Sequence, residues 1–167
     1  VVSPGTVIIT AAGNCNAISK VVEPLFKPNA GPIYYINMSQ DAFKLGGSAF
    51  GQVLNTIGSE TPNVQSAAYV KTVFNTLQEL IQNNKIVAGH DVASGGLITT
   101  LLELCFSDTN LGADLNLDSL NEADSIKLLF SENSGIVFQA TDDSVAVELS
   151  KASVAFHELG TVTNQPV

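Results

Sequence analysis

The chain has 167 residues and a mass of 17.5 kDa, within one ordinary domain, and 45% hydrophobic against 14% charged residues give it a core, which excludes a disordered or fibrous segment. Seven Lys and Arg against sixteen Asp and Glu leave a net charge of −9, so the basic stripe that a nucleic-acid partner needs is absent. No apolar stretch reaches the roughly 20 residues of a membrane-crossing helix, and the N-terminus has no signal-peptide pattern; a soluble, cytoplasmic protein is expected, with no membrane partner.

Residues 6–12 are β-branched and nearly all apolar, as in a strand covered on both faces, and residues 32–37 read the same way. Between them Ile18, Val21, Val22 and Leu25 have helical spacing, but Pro24 and Pro28 restrict any helix to a short one. Phe50, Val53, Leu54 and Ile57 predict a short helix over 48–57 after Gly46 and Gly47. Val70, Val73, Phe74, Leu77, Leu80 and Ile81 form the stripe of a long amphipathic helix, with its start signal at 61–63 and its stop at 83–85. Residues 86–90 predict a buried strand ending at Asp91, and Gly95 and Gly96 turn the chain into a helix carrying Leu97, Ile98, Leu101, Leu102 and Cys105, closed by the polar run 107–110. A half-exposed strand over 113–117 follows, then cap candidates at 118–121 for a helix through Ile126, Leu129 and Phe130. Residues 135–140 predict a strand, 141–143 the start of a helix presenting Val145 and Leu149, and 156–162 a last strand. This interleaving predicts an α/β or α+β fold, one mixed sheet packed against helices.

Cys15 and Cys105 are too few and too far apart for a disulfide framework or a zinc site; both are expected reduced, with Cys105 in the core. No His and acidic partner can be assigned to Cys15, so no nucleophile system and no catalytic residue is read from the chain. The chain opens without Met and stops at Val167, which suggests a single domain over 1–167 excised from a longer polypeptide.

The most informative stretch runs from Gly89 to Leu97. A buried strand ends in the carboxylate of Asp91, and Ala93, Ser94, Gly95 and Gly96 lead into a helix. Ligands of α/β sheets gather beyond strand ends, helix-start amides favour phosphate, and a carboxylate can hold Mg²⁺. Alternatively, Asp91 caps the turn and the glycines only permit a bend. Gly46, Gly47 and Ser48 form a second such turn, read either as a phosphate-facing helix start or as a capped helix packed closely on the sheet. Adjacent strand residues face opposite ways, so His90 and Asp91 do not readily serve one centre, and His90 reads as a structural histidine. His157 reads as a surface or sheet residue. Glu132 reads as a solvated loop carboxylate or one that shapes a polar site.

In their order and spacing, the motifs Leu45-Gly46-Gly47-Ser48, His90-Asp91-Val92-Ala93-Ser94-Gly95-Gly96-Leu97 and Leu129-Phe130-Ser131-Glu132, with the long helix between the first two, resemble the C-terminal domain of the aminoimidazole ribonucleotide synthetase superfamily. Within it, the similarity is to the second such domain of the large phosphoribosylformylglycinamidine synthase family. The resemblance implies an α/β/α sandwich belonging to an ATP- and Mg²⁺-dependent carbon–nitrogen ligase of purine biosynthesis. There ATP activates an amide oxygen and glutamine-derived ammonia displaces the phosphate.

It further implies Asp91 as a metal ligand, and Gly46, Gly47, Ser48, Ala93, Ser94, Gly95 and Gly96 as nucleotide-binding residues in a site shared between domains. ATP or ADP and Mg are the implied cofactors, and an N-terminal synthetase domain and a glutaminase domain of the same parent are the implied partners. Ala93 stands where the family usually has Ser, and Ser94 where it commonly has an acidic residue. A fragment lacking those partners is expected to be inactive alone. A purely structural, nucleotide-holding role remains open, as does membership among the superfamily's selenophosphate synthetases, thiamine monophosphate kinases or hydrogenase maturation proteins.

Overall fold

The computed structural model describes residues 8–15, 17–106 and 110–165. Among them, five strands and five α-helices follow in the order β1 (Ile33–Asn37), α1 (Ala49–Val53), α2 (Ala67–Gln82), β2 (Ile86–Asp91), α3 (Gly96–Phe106), β3 (Gly112–Leu115), α4 (Ser125–Phe130), β4 (Gly135–Ala140), α5 (Ser144–Lys151) and β5 (His157–Thr163). The strands make one sheet in the order β2-β4-β1-β5-β3, and every ladder between them is antiparallel. Among the described residues parallel pairing is confined to one bridge, Glu23 to Ala88.

β1 sits at the centre because its side chains are large and apolar on both faces, and four of its five residues are buried. Alternation sends Ile33 and Tyr35 to one face, with Val137 of β4 and with Leu97, Leu101 and Leu104 of α3. Tyr34 and Ile36 go to the other, with Phe138 of β4, Val73, Leu77 and Leu80 of α2, and Val145 and Leu149 of α5. Helices therefore cover both faces of the sheet, and the layering is α/β/α. Each fully buried Leu or Val contributes about 1.5–3 kcal/mol, so the two clusters supply most of the cohesion. Gln139, fully buried on β4, is satisfied by acting as extra backbone: its Oε1 accepts the Lys27 N–H at 2.8 Å and its Nε2 donates to the Lys27 carbonyl at 3.0 Å.

Cys105 is buried and Cys15 exposed, both as free thiols. His157 opens β5 with its ring 6.4 Å from that of Tyr35, a sheet residue as expected.

Several expectations are corrected. The strand read over 6–12 does not form in its described part, residues 8–12, where Ile8 and Ile9 are 87% and 86% exposed; β-branched residues make a strand only where a neighbour accepts their backbone. Its first two residues, the polar run 107–109 and the last two residues of the chain lie outside the described residues. The helix read over 48–57 is the single-turn α1. It ends where Leu54 N–H bonds Phe50 and Gly51 and where Asn55 turns left-handed (φ 56°), so Val53, Leu54 and Ile57 are left exposed. The cap of α2 is Ser66 rather than a residue of 61–63, its hydroxyl accepting the Tyr69 N–H, and Phe74 of the expected stripe faces outward. Likewise α4 is capped by Asp124, which accepts the N–H groups of Ile126 and Lys127, whereas 118–120 closes a 3-10 turn.

Candidate functional site

β2 is an edge strand, and its last residue lies where the chain leaves the sheet. The Asp91 side chain is 78% exposed there, turned away from the interior. His90 has its Nε2 3.2 Å from Glu103 Oε2 on α3. Its Nδ1 is 2.7 Å from the Asp91 carbonyl oxygen and 3.5 Å from Asp91 Oδ1. His90 therefore ties β2 to α3 and also stands beside the Asp91 carboxylate, which corrects the expectation that the two do not readily meet: at the last residue of the strand, alternation no longer keeps them apart. On the Asp91 side, an open hollow of about 350 Å³ is lined mainly by Val22, Leu77, Ile81, Ile136 and Phe138.

Beyond Asp91 the turn into α3 is shaped by sterics. Gly95 and Gly96 have φ of 92° and 76°, in the left-handed region that a side chain resists. A Cβ on Gly96 would also stand 2.7 Å from the Leu129 carbonyl oxygen, so only glycine lets α3 start this close to α4. The Thr100 hydroxyl donates to the Asp91 carbonyl at 3.1 Å and fixes the strand end to the first turn of α3. The Ala93 and Ser94 N–H groups, both on exposed residues, find no acceptor among the described residues. The Gly96 N–H bonds the Ala93 carbonyl at 3.1 Å, and the Gly95 N–H is donated to Glu132.

The other glycine turn is closed. Gly46 N–H donates to the Glu60 carbonyl at 2.8 Å, Gly47 to Ile57 at 2.7 Å and Ser48 to Leu45 at 3.2 Å. The Ser48 hydroxyl donates to the Leu45 carbonyl and accepts the Gly51 N–H, capping α1. Of the two readings of this turn, the capped and closely packed one describes its hydrogen bonds.

Glu132 is the residue whose importance the sequence did not reveal. Its Oε1 accepts the Ala49 N–H at 2.8 Å and the Gly95 N–H at 2.9 Å, so one carboxylate oxygen touches the starts of both helices. No pattern around Leu129-Phe130-Ser131-Glu132 shows such partners, 83 and 37 residues away. The alternative that it shapes a polar site is the one the geometry supports.

As a cation holder the chain offers little beyond Asp91: no cluster of three or more His, Cys, Asp or Glu suited to a metal occurs among the described residues. One exposed carboxylate suits a hard ion such as Mg²⁺, which keeps several waters and takes one or two protein carboxylates plus phosphate oxygens. The fit is that of a contributor, with the other ligands supplied from outside this chain. No helix among the described residues is long and apolar enough to cross a membrane.

The family described as AIR synthase related protein, C-terminal domain, matches residues 40–167. The probable phosphoribosylformylglycinamidine synthase of Arabidopsis thaliana, described as chloroplastic/mitochondrial, is 36% identical over 170 residues, spanning 99% of this chain and 12% of the relative. The probable enzyme of that name from Caenorhabditis elegans is 32% identical over 172 residues, 95% of this chain and 13% of the relative. The chain thus spans about an eighth of the length of these curated relatives. Among solved structures, PurL of Thermotoga maritima complexed with ADP superposes with a TM-score of 0.63 at 18% identity, over 89% of this chain and 24% of that one. The ATP complex of the same protein gives 0.64 at 16% identity with the same coverage.

Proposed function

The chain belongs to the AIR synthase related protein family as its C-terminal domain, and from that premise we propose that it serves as a synthetase-type domain of a phosphoribosylformylglycinamidine synthase. In this reading it is one domain of a longer cytoplasmic ligase, which uses ATP and glutamine to convert formylglycinamide ribonucleotide to the amidine. It contributes one wall of a Mg-nucleotide site, the facing wall coming from an N-terminal synthetase domain, while a glutaminase domain of the same parent supplies ammonia. The names and bound nucleotides of its relatives support this assignment.

The observation that carries the site is an exposed carboxylate followed by two amides without an acceptor among the described residues: Asp91 ends β2, and the N–H groups in question belong to the exposed Ala93 and Ser94, two and three residues later. Asp91 is the metal ligand. Ala93, Ser94, Gly95 and Gly96 form the phosphate-side bend, with the first two donating. Gly46, Gly47 and Ser48 frame the site from the neighbouring bend through their packing rather than through free N–H groups. When bound, the magnesium ion neutralises polyphosphate charge; the chain's own residues anchor and orient it. No residue here is assigned a step of bond making, and the chain alone is inactive as a synthase. Ala93 offers only its backbone, which favours holding a nucleotide over processing it.

Titration calorimetry tests this reading. A shared site predicts weak Mg·ADP binding by the chain alone, with Kd on the order of 0.1–1 mM, about −4 to −5.5 kcal/mol. Asp91→Ala should weaken it about tenfold or more and remove its dependence on Mg²⁺, with thermal stability unchanged, because the side chain is exposed. No binding at millimolar Mg·ADP, or binding indifferent to Asp91, overturns the site. Submicromolar binding contradicts the shared wall.

A further inference from the structure

Glu132 lies one residue past the C-cap of α4, on the connection to β4. The two N–H groups its Oε1 accepts belong to the first residue of α1 and to the residue just ahead of α3. Hydrogen bonds to an ionised carboxylate are roughly twice as strong as neutral ones, so a single charged atom ties two glycine bends that are remote in sequence. The packing around it agrees. Phe50 of α1 stacks on Phe130 of α4 at 4.9 Å, and Gly96 of α3 lies against the Leu129 and Phe130 backbone. The starts of α1 and α3 and the end of α4 thus meet at this carboxylate.

We infer that Glu132 is a positioning residue for the nucleotide wall: its carboxylate locks the Ala93–Gly96 bend against the Gly46–Ser48 bend and so holds the Ala93 and Ser94 amides in one arrangement beside Asp91. The inference rests on the nucleotide reading above. It also has a sign that distinguishes it from the rival role. If Glu132 merely occupied the place of a phosphate, removing it would free two donors and tighten anion binding. A positioning carboxylate gives the opposite result, because the amides that remain for phosphate lose their fixed placement.

The experiment combines amide hydrogen exchange with Mg·ADP calorimetry on the 167-residue chain and its Glu132→Ala, Glu132→Asp and Glu132→Gln variants. Glu132→Ala removes the acceptor, and Glu132→Asp keeps the charge but is one methylene too short to reach both amides. Both should speed exchange at Ala49 and Gly95 about tenfold or more, leave Tyr34 and Tyr35 of β1 unchanged, and weaken Mg·ADP about tenfold. Glu132→Gln keeps an oxygen of the same reach and should stay within about threefold of wild type. Faster exchange with unchanged affinity would reduce Glu132 to a structural tie, and tighter binding would make it a phosphate stand-in; either overturns the inference. If Glu132→Ala loosens β1 as well, Glu132→Asp decides by the same criteria. Wild-type chain that binds no Mg·ADP fails the nucleotide reading itself and this role with it, an outcome distinct from wild-type binding that the variants leave untouched.

Discussion

The two glycine bends look alike in sequence, each a glycine pair ahead of a helix, yet the fold uses them differently. After the first bend the chain loops back through Ile57 and Glu60, whose carbonyls take up the Gly47 and Gly46 N–H groups, and the bend becomes interior architecture. At the second the Glu132 carboxylate takes up only the Gly95 N–H as the chain enters α3, and the Ala93 and Ser94 N–H groups find no acceptor among the described residues. A glycine pair is a backbone permission. What it presents depends on whether the following segment comes back over it.

The largest effect that can break this comparison is Gly96→Ala. A left-handed φ of 76° costs about 1–2 kcal/mol in a residue with a side chain, and a Cβ 2.7 Å from the Leu129 oxygen adds an overpacking cost of about 1–3 kcal/mol. A loss of about 3 kcal/mol in urea unfolding is expected; a loss below about 1 kcal/mol would show that α3 and α4 separate easily. Gly47→Ala is milder. Its φ is also 76°, but the nearest atom to the new Cβ would be Thr61 Cγ2 at 3.7 Å, so only the backbone cost of about 1 kcal/mol remains after the unfolded-state gain. A loss exceeding that of Gly96→Ala would reverse the ranking of the two bends.

The smallest effect is acid sensitivity near the first bend. Asp41 Oδ2 accepts the Lys44 ammonium at 2.7 Å and the Asn63 N–H at 2.9 Å, closing the loop over that bend. The Lys44 hydrogen bond foremost, and then the Asn63 N–H, hold its pKa at about 2, below the ordinary 3.8. A pKa lowered on folding contributes stability above the ordinary value, lost as pH falls through the folded one. The advantage of wild type over Asp41→Asn should be full at neutral pH, shrink below pH 3.8 and vanish below about pH 2. Equal acid midpoints for the two proteins would remove Asp41 from the loop's support.

The elements with sustained periodicity were legible in the sequence. The α2 stripe, the doubly apolar β1 and the strand-to-helix passage from Ile86 to Phe106 follow from local pattern because local pattern decides which face is buried. Residues 8–12 misled for the same reason, since their β-branched run carries no information about a partner strand. The exposed position of Asp91 could be read from its place at a strand end. The partners of Glu132 could not, because the Ala49 and Gly95 amides are brought together only by the packing of α1, α3 and α4.

The central position of β1 has a consequence for how the chain becomes a folded body. Among the described residues β1 pairs with the two strands that follow it latest, β4 and β5, Ile33 meeting Gln139 on one side and Gly160 on the other. Until those late segments leave the ribosome, Ile33, Tyr34, Tyr35 and Ile36 have neither of their rungs and sit as a greasy, β-prone tetrapeptide in a nascent chain. Closure of so distant a pairing is slow, and it leaves this stretch unpaired for longer than a strand that meets its neighbour locally.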